Sequence, residues 1–344
     1  MARRKNPSRR KLWLTFSKYP SPMTKNPQST DNLSRKDFLR GAAIAALLPL
    51  LPRISHAEAD RIGVAEIAPG IFVHTGQYAL VNSENVGDIS NACCIIGSSA
   101  VAVVDTSGSY GLGKALHAAI AQITDKPIRY VINTHMHPDH VLGNAAFEAE
   151  GTEFVGHHKL PAALSARAES YLRNTRDRVG DKAFAGTKIV LPTRTVTDAL
   201  DLDLGGRVLT LRARPTAHTD NDLTISDSAT GTLLLGDLLF SDHIPTLDGS
   251  IVGWLKLIPA LKQEAAARVV PGHGPKTMNW PDAIDAEQRY LETIARDVRA
   301  MIKDGKTIEL AVATAGQSEK GKWQLFEEHH AMNVTAAFTE LEWE

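Results

Sequence analysis

The chain has 344 residues, 43% hydrophobic and 22% charged, with 25 glycines and 17 prolines, which excludes disorder, collagen and coiled coil. A body of this size buries a substantial core without disulfide staples. The net charge of −1 conceals an asymmetry, because residues 1–57 hold 12 Lys/Arg against 2 Asp/Glu while residues 58–344 hold 26 against 37. The acidic body argues against nucleic acid as a partner, since phosphate neutralisation needs Lys and Arg.

Residues 1–57 read as an export signal. A basic stretch, Ser34-Arg35-Lys36-Asp37-Phe38-Leu39-Arg40, precedes an apolar run at 41–51 and the small-residue ending Ser55-His56-Ala57. The run is too short to span a bilayer, which takes about twenty residues, so no stable membrane anchor is expected. Cleavage is expected after Ala57 or Ala59. The pattern Ser-Arg-Lys-x-Phe-Leu resembles the twin-arginine signal, with Lys36 where the second arginine belongs. The mild apolar run and Arg53 also favour that route over Sec export, and so a periplasmic or secreted location. Met23 is an alternative start to Met1.

From about residue 64 the pattern becomes short strands at 70–74, 91–97 and 100–105, each bounded by Gly, Ser or Asn. The adjacent Cys93 and Cys94 belong to the second of these, with one or both side chains buried. Residues 111–124 carry Leu112, Ala115, Leu116, Ala119, Ile120 and Ile123 at helical spacing, and 128–133 is a strand again. Further strands are expected at 153–155, 188–191, 207–212, 222–226 and 232–235, with a charged helix at 160–178. Beyond Trp280 the chain is mostly helical, with Ile284, Tyr290, Leu291, Ile294, Val298 and Ile302 on one face. One layered α+β domain over 58–344, with a helical C-terminal extension from about 281, is the economical reading.

The strand at 128–133 runs into Thr134-His135-Met136-His137-Pro138-Asp139-His140. Alternate residues of extended backbone point the same way, so His135 and His137 can share one metal. Once the chain turns toward a helix, Asp139 and His140 face a second position beside it. Single candidates stand later, at strand ends or turns: His218, Asp237 and His273. Gly236, Gly272 and Gly274 allow tight backbone turns beside a crowded site.

In these residues the chain resembles the metallo-β-lactamase superfamily, over nearly all of 64–280. The resemblance implies a four-layer αβ/βα sandwich of two mixed β-sheets flanked by helices. It further implies that Asp105 is a structural residue behind the ligands. Metal 1 would be held by His135, His137 and His218, metal 2 by Asp139, His140 and His273, with Asp237 bridging. Asp at 237, rather than Cys or Ser, matches the superfamily's hydrolase branches. Antibiotic hydrolysis is demoted, because no cationic residue closely follows Asp237 to hold a lactam carboxylate. The phrases from Thr134 to Phe147, His218 to Leu223, Leu247 to Trp254 and Glu340 to Glu344 look like the quinoprotein relay system zinc metallohydrolases, relatives of a sulfur-oxidation accessory hydrolase. That likeness implies a periplasmic quinoprotein dehydrogenase as partner.

Two zinc ions about 3.5–4 Å apart hold a bridging water, lower its pKa to near 7 and present hydroxide to an electrophilic carbonyl. An all-His/Asp ligand set also admits Fe or Mn. Asp139 is the catalytic candidate, orienting the nucleophile and handling its proton. The expected substrate is a small acyl compound: an ester, thioester, lactone or amide. Two alternatives are a mononuclear iron enzyme of persulfide dioxygenase type and a non-catalytic metal-binding accessory. His243 is a substrate-donor candidate, weighed against a solvated loop position. Asp220 is a candidate hydrogen-bond partner of His218, weighed with Asp222 against a turn role. Trp254 is expected to pack a helix rather than wall the groove, His157 and His158 to be capping or surface residues, and His329 and His330 to take surface or core roles unless the tail folds back over the groove.

Overall fold

The structure, a computed structural model, describes residues 62–344. The expected export signal and cleavage near residues 57–59 fall outside the described residues.

Two sheets face each other. The first has seven strands in sequential order: β1 (Ala65–Ala68), β2 (Ile71–His74), β3 (Ala92–Ile96), β4 (Val101–Val104), β5 (Ile128–Ile132), β6 (Glu153–His157) and β7 (Arg194–Val196). Pairing is antiparallel from β1 to β4 and parallel from β4 to β7. The second sheet has five strands: β8 (Ala199–Asp203), β9 (Val208–Ala213), β10 (Leu223–Asp227), β11 (Thr232–Phe240) and β12 (Arg268–His273). It is antiparallel except where β11 lies parallel to β12.

Period-2 alternation builds the layers. In β4, Ala102 and Val104 face the core between the sheets, while Val101 and Val103 meet the outer helix α1 (Tyr110–Ala121) through Leu112, Leu116 and Ile120. Cys93 and Cys94 divide in the same way and are both buried. β11 is buried along its whole length, with Leu234 toward the first sheet and Leu233 and Leu235 toward helices. A strand covered on both faces reads as a continuous apolar run.

Near the ligand stretch, the short α2 (Pro138–Val141) packs with α3 (Leu160–Val179), which is followed by α4 (Asp181–Phe184). The outer face of the second sheet is covered by α5 (Ile251–Lys262), α6 (Asp285–Lys303), α7 (Ile308–Thr314) and α8 (Phe326–Leu341). The result is the expected four-layer α+β sandwich with a helical C-terminal region. Among the described residues, no helix is long and apolar enough to cross a membrane.

Residues 188–191 are not a strand. Ladder pairing along β6 begins only after Pro192, with β7 at Arg194–Val196, because proline has no N–H to give the ladder. Ile189 and Val190 serve as packing residues instead. β1, β7, β8 and β12 lie outside the expected strands.

Candidate metal centre

Four of the seven ligand candidates follow β5, and one carboxylate orients two of them. Asp105, directly after β4, has a φ of 57°, a left-handed backbone uncommon for a non-glycine residue. The turn aims its side chain at the end of β5. Its Oδ1 accepts from Thr134 N at 2.8 Å, and its Oδ2 accepts from Thr134 Oγ1 at 2.7 Å and His140 Nδ1 at 2.8 Å. Having given its proton to Asp105, the Thr134 hydroxyl accepts from His135 Nδ1 at 3.0 Å. Neutral His135 and His140 therefore both carry their lone pair on Nε2, turned toward the cluster.

The second sheet and its loops complete the arrangement. His218, between β9 and β10, donates from Nδ1 to the Thr246 carbonyl at 2.7 Å, which leaves Nε2 as a lone pair. His137 donates from Nε2 to Asp248 Oδ2 at 3.1 Å and presents Nδ1 inward. His135 Nε2 and His218 Nε2 each stand 3.1 Å from His137 Nδ1, with Asp237 Oδ2 at 3.7 Å and 3.4 Å from the first two. In the tautomers that these outer hydrogen bonds select, none of the three nitrogens has a proton to give another. Facing lone pairs repel unless a cation lies between them, and Zn–N bonds of about 2.0–2.1 Å in a tetrahedron set nitrogens roughly 3.3 Å apart.

A second group stands beside the first. Asp139 Oδ2 is 3.3 Å from both His140 Nε2 and His273 Nε2, while Asp237 lies 3.2 Å from the former through Oδ1 and 3.3 Å from the latter through Oδ2. His140 Nε2 and Asp237 Oδ1 are buried without a hydrogen-bond partner. Buried polar atoms in that condition are costly, and a metal ion would satisfy both. Two sets, His135/His137/His218/Asp237 and Asp139/His140/His273, each place their ligand atoms within 4.8 Å of one another. The residues present thus fit two metal ions, with Asp237 in contact with both sets.

The crowding dictates the glycines. A Cβ on Gly272 would lie 1.9 Å from Asp237 Oδ1, and one on Gly236, whose φ is 53°, would lie 2.7 Å from the Thr134 Cβ. Only glycine lets β11 and β12 close on the site.

Electrostatics suit cation binding. Burial pushes His135 well down and His218 down to about 3, so both are neutral ligands at physiological pH. Burial opposes charge on Asp139 and Asp237 too, yet both stay well below the usual carboxylate range, Asp139 through His140 and His273 and Asp237 through His273, His140 and His135. Burial lowers His140 and His273, yet those carboxylates outweigh it and lift His140 well up and His273 to about 9, with Asp237 the largest raising influence on each. A metal bound here would displace these protons.

His137 and Asp139 mark the open side. Their side chains are 18% and 14% exposed, whereas the other five ligands reach at most 6%. At this mouth Arg167 Nη2 of α3 lies 3.9 Å from Asp248 Oδ2. His243 is no solvated loop residue: it is 4% exposed and its ring lies 5.0 Å from that of His273. Its Nδ1 donates to the Ile244 carbonyl at 2.6 Å, and burial pushes it down to about 3, so it is a neutral group beside the second ligand set. The tail does fold back, since the His329 ring stands 5.4 Å from that of His243. His330 is a core residue bonded to Tyr290 Oη and the Ala315 carbonyl.

Asp220 does not join the site. It is exposed and accepts from Asn221 Nδ2, because the turn after His218 is closed by Asp222, which accepts from Thr219 N and Oγ1. Trp254 is fully buried with its edge on His218, 5.5 Å between ring centroids, so it backs a ligand rather than walling the groove. Phe240 lies flat on His273 at 5.0 Å. Sequence reasoning missed Asp248 and the Thr246 carbonyl. The phrase from Leu247 to Trp254 carried a signal for the first, and a backbone carbonyl carries none.

A sandwich with this seven-residue site at the ends of its strands defines a class. Residues 86–273 match the family model of the metallo-β-lactamase superfamily, and the chain belongs to that superfamily. A curated relative, the linear primary-alkylsulfatase of a Pseudomonas species, is 25% identical over 207 residues, 50% of this chain. The match spans only 39% of that relative's length. A metallo-β-lactamase from Pontibacter korlensis superposes with a TM-score of 0.55 at 17% identity, covering 67% of this chain and 99% of that one. The metallo-β-lactamase FIM-1 from Pseudomonas aeruginosa, in its mono-zinc form, gives 0.52 at 18%, covering 67% and 95%. At such identities these likenesses speak for the fold.

Proposed function

We propose that the protein is a dinuclear zinc-dependent hydrolase of small acyl compounds or related esters, with metal 1 on His135, His137 and His218, metal 2 on Asp139, His140 and His273, and Asp237 shared. The observation that carries this reading is four imidazoles that each spend one ring nitrogen on a hydrogen bond outside the cluster and turn the other nitrogen into it. Zinc bound there supplies Lewis acidity and brings the pKa of water close to neutral. Asp139, partly exposed at the mouth, accepts a hydrogen bond from the attacking water, orients it and takes up its proton. Arg167 and Asp248 frame the approach, and His243 and His329 pack in series behind His273. Two ligand sets side by side favour two metals over a mononuclear site.

Carboxylic esters, thioesters, lactones and amides remain the substrate classes, and the alkylsulfatase relative adds sulfate esters. Twin-arginine export to the periplasm and association with a quinoprotein dehydrogenase are further proposals, supported by residues 34–57 and by the four phrases quoted above. A panel of these substrates with the zinc-loaded chain tests the reading. At least one should turn over, with kcat lowered by roughly 100-fold or more in Asp139→Asn, the scale of a lost general base. Oxygen consumption with a persulfide, and no hydrolysis across the panel, would contradict it.

A further inference from the structure

All seven ligands come from residues 135–273, yet the chain continues into a helix that touches the site's supports. The contact runs through the loop at 241–250 joining β11 to α5. In that loop the Thr246 carbonyl accepts from His218 Nδ1 and the Asp248 carboxylate accepts from His137 Nε2, so one loop orients two of the three metal-1 imidazoles.

Asn333 of α8 grips this loop. It is 1% exposed, its Oδ1 accepts from Leu247 N at 2.9 Å, and its Nδ2 donates to the Pro245 carbonyl at 2.6 Å and to Tyr290 Oη at 2.9 Å. Leu247 N–H and the Thr246 carbonyl belong to one peptide group. Asn333 thus holds the N–H end of the same peptide whose carbonyl end holds His218, and hydrogen bonds in such a chain polarise one another. Two helical turns further on, Glu340 accepts from Ser250 Oγ at 2.5 Å and Ile251 N at 2.8 Å, at the N-terminus of α5. Ser250 N and Asp248 N donate in turn to the carbonyls of Ala217 and His218. The tail is therefore bonded to the loop that orients the His218 ring and, through it, to the His218 backbone.

We propose that Asn333, supported by Glu340, is a positioning residue for metal 1: it fixes the Thr246–Leu247 peptide that keeps His218 in its ligating tautomer and orientation. The inference rests on the ligand assignment proposed above. It makes the C-terminal helix part of the metal centre, although that helix lies outside the matched residues 86–273.

Zinc titration of the full-length metal-free chain against a competing chelator tests this, together with the d–d spectrum of the cobalt-substituted protein and the unfolding midpoint of the metal-free form. Asn333→Ala should weaken one of the two binding steps by roughly 10- to 100-fold, the usual effect of removing a ligand's hydrogen-bond support, and shift the cobalt bands of that site. The other step should stay within about twofold, and Met332→Ala, an exposed neighbour on the same helix, should change neither. A folded Asn333→Ala protein with both steps and the cobalt bands as in wild type overturns the proposal, as does equal weakening of both steps. Should that variant not fold, Glu340→Gln carries the test: a loss of about threefold or more in the same single step supports it, and unchanged affinity overturns it. A wild-type chain that binds no zinc would overturn the ligand assignment itself, whereas silent variants of a zinc-binding chain overturn only the role of α8.

Discussion

The two sheets bring ligands to the site in different ways. The first delivers His135, His137, Asp139 and His140 from one short stretch after β5, braced by a single carboxylate, Asp105. The second delivers His218, Asp237 and His273 from three separate places, each with its own support: the Thr246 carbonyl, the space left by Gly272 and the face of Phe240. One half depends on local chain geometry and the other on tertiary packing. A fault in the Asp105 brace should reach both metals, while a fault in one support of the second half should reach only the ligand it serves.

Asp237 is the exception, because it contacts both ligand sets, and its support gives the strongest test. Gly272→Ala places a methyl 1.9 Å from Asp237 Oδ1 and 2.7 Å from the Gly236 carbonyl carbon. Both metals should be lost, and stability should fall by about 1–3 kcal/mol, as overpacking typically costs. Zinc content and a denaturant midpoint measure the two effects. Retention of two zinc ions would show that β11 and β12 can yield.

Asp105→Asn comes next. Asparagine cannot accept from Thr134 N, Thr134 Oγ1 and His140 Nδ1 at once without turning an N–H toward one of them. Both zinc-binding steps should weaken by roughly 10- to 100-fold. A loss confined to one step would break the comparison, because it would mean that the Thr134 relay to His135 contributes nothing.

A separate test concerns the His218 turn and reads folding rather than metal binding. Burial pushes Asp222 up to about 8 from an ordinary 3.8, so the folded metal-free chain holds a proton there that the unfolded chain releases. A raised folded pKa gives stability that is fully present below the unfolded value and is lost as pH rises through about 8. Asp222→Asn removes that slope. The unfolding midpoint of the metal-free variant relative to wild type should therefore climb between pH 4 and pH 9. A constant difference would place the charge of Asp222 outside the folding equilibrium.

The same contrast explains what could be read from residues alone. His135 to His140 stood out because a strand and a turn put them on two neighbouring positions by local geometry. His218, Asp237 and His273 had no such signal as isolated residues and were assigned through the resemblance. β12 escaped notice because Pro271 and Gly272 interrupt a strand pattern, although Arg268–His273 pairs along β11. β8 reads Ala-Leu-Asp-Leu-Asp, with Leu202 buried and its aspartates exposed in a short edge strand. Asp248 and Asn333 act across separations of 111 and 86 residues, which no motif spacing encodes. The burial of His243 is hidden from the sequence for the same reason, since its ring packs between those of His273 and His329 of the tail.

The most direct test is elemental analysis of the purified chain, normalised to protein concentration, with His135→Ala and His273→Ala beside it. The account predicts close to two zinc per wild-type chain, with each variant folded and depleted in metal. Full occupancy in both variants, or one iron per wild-type chain, would contradict it.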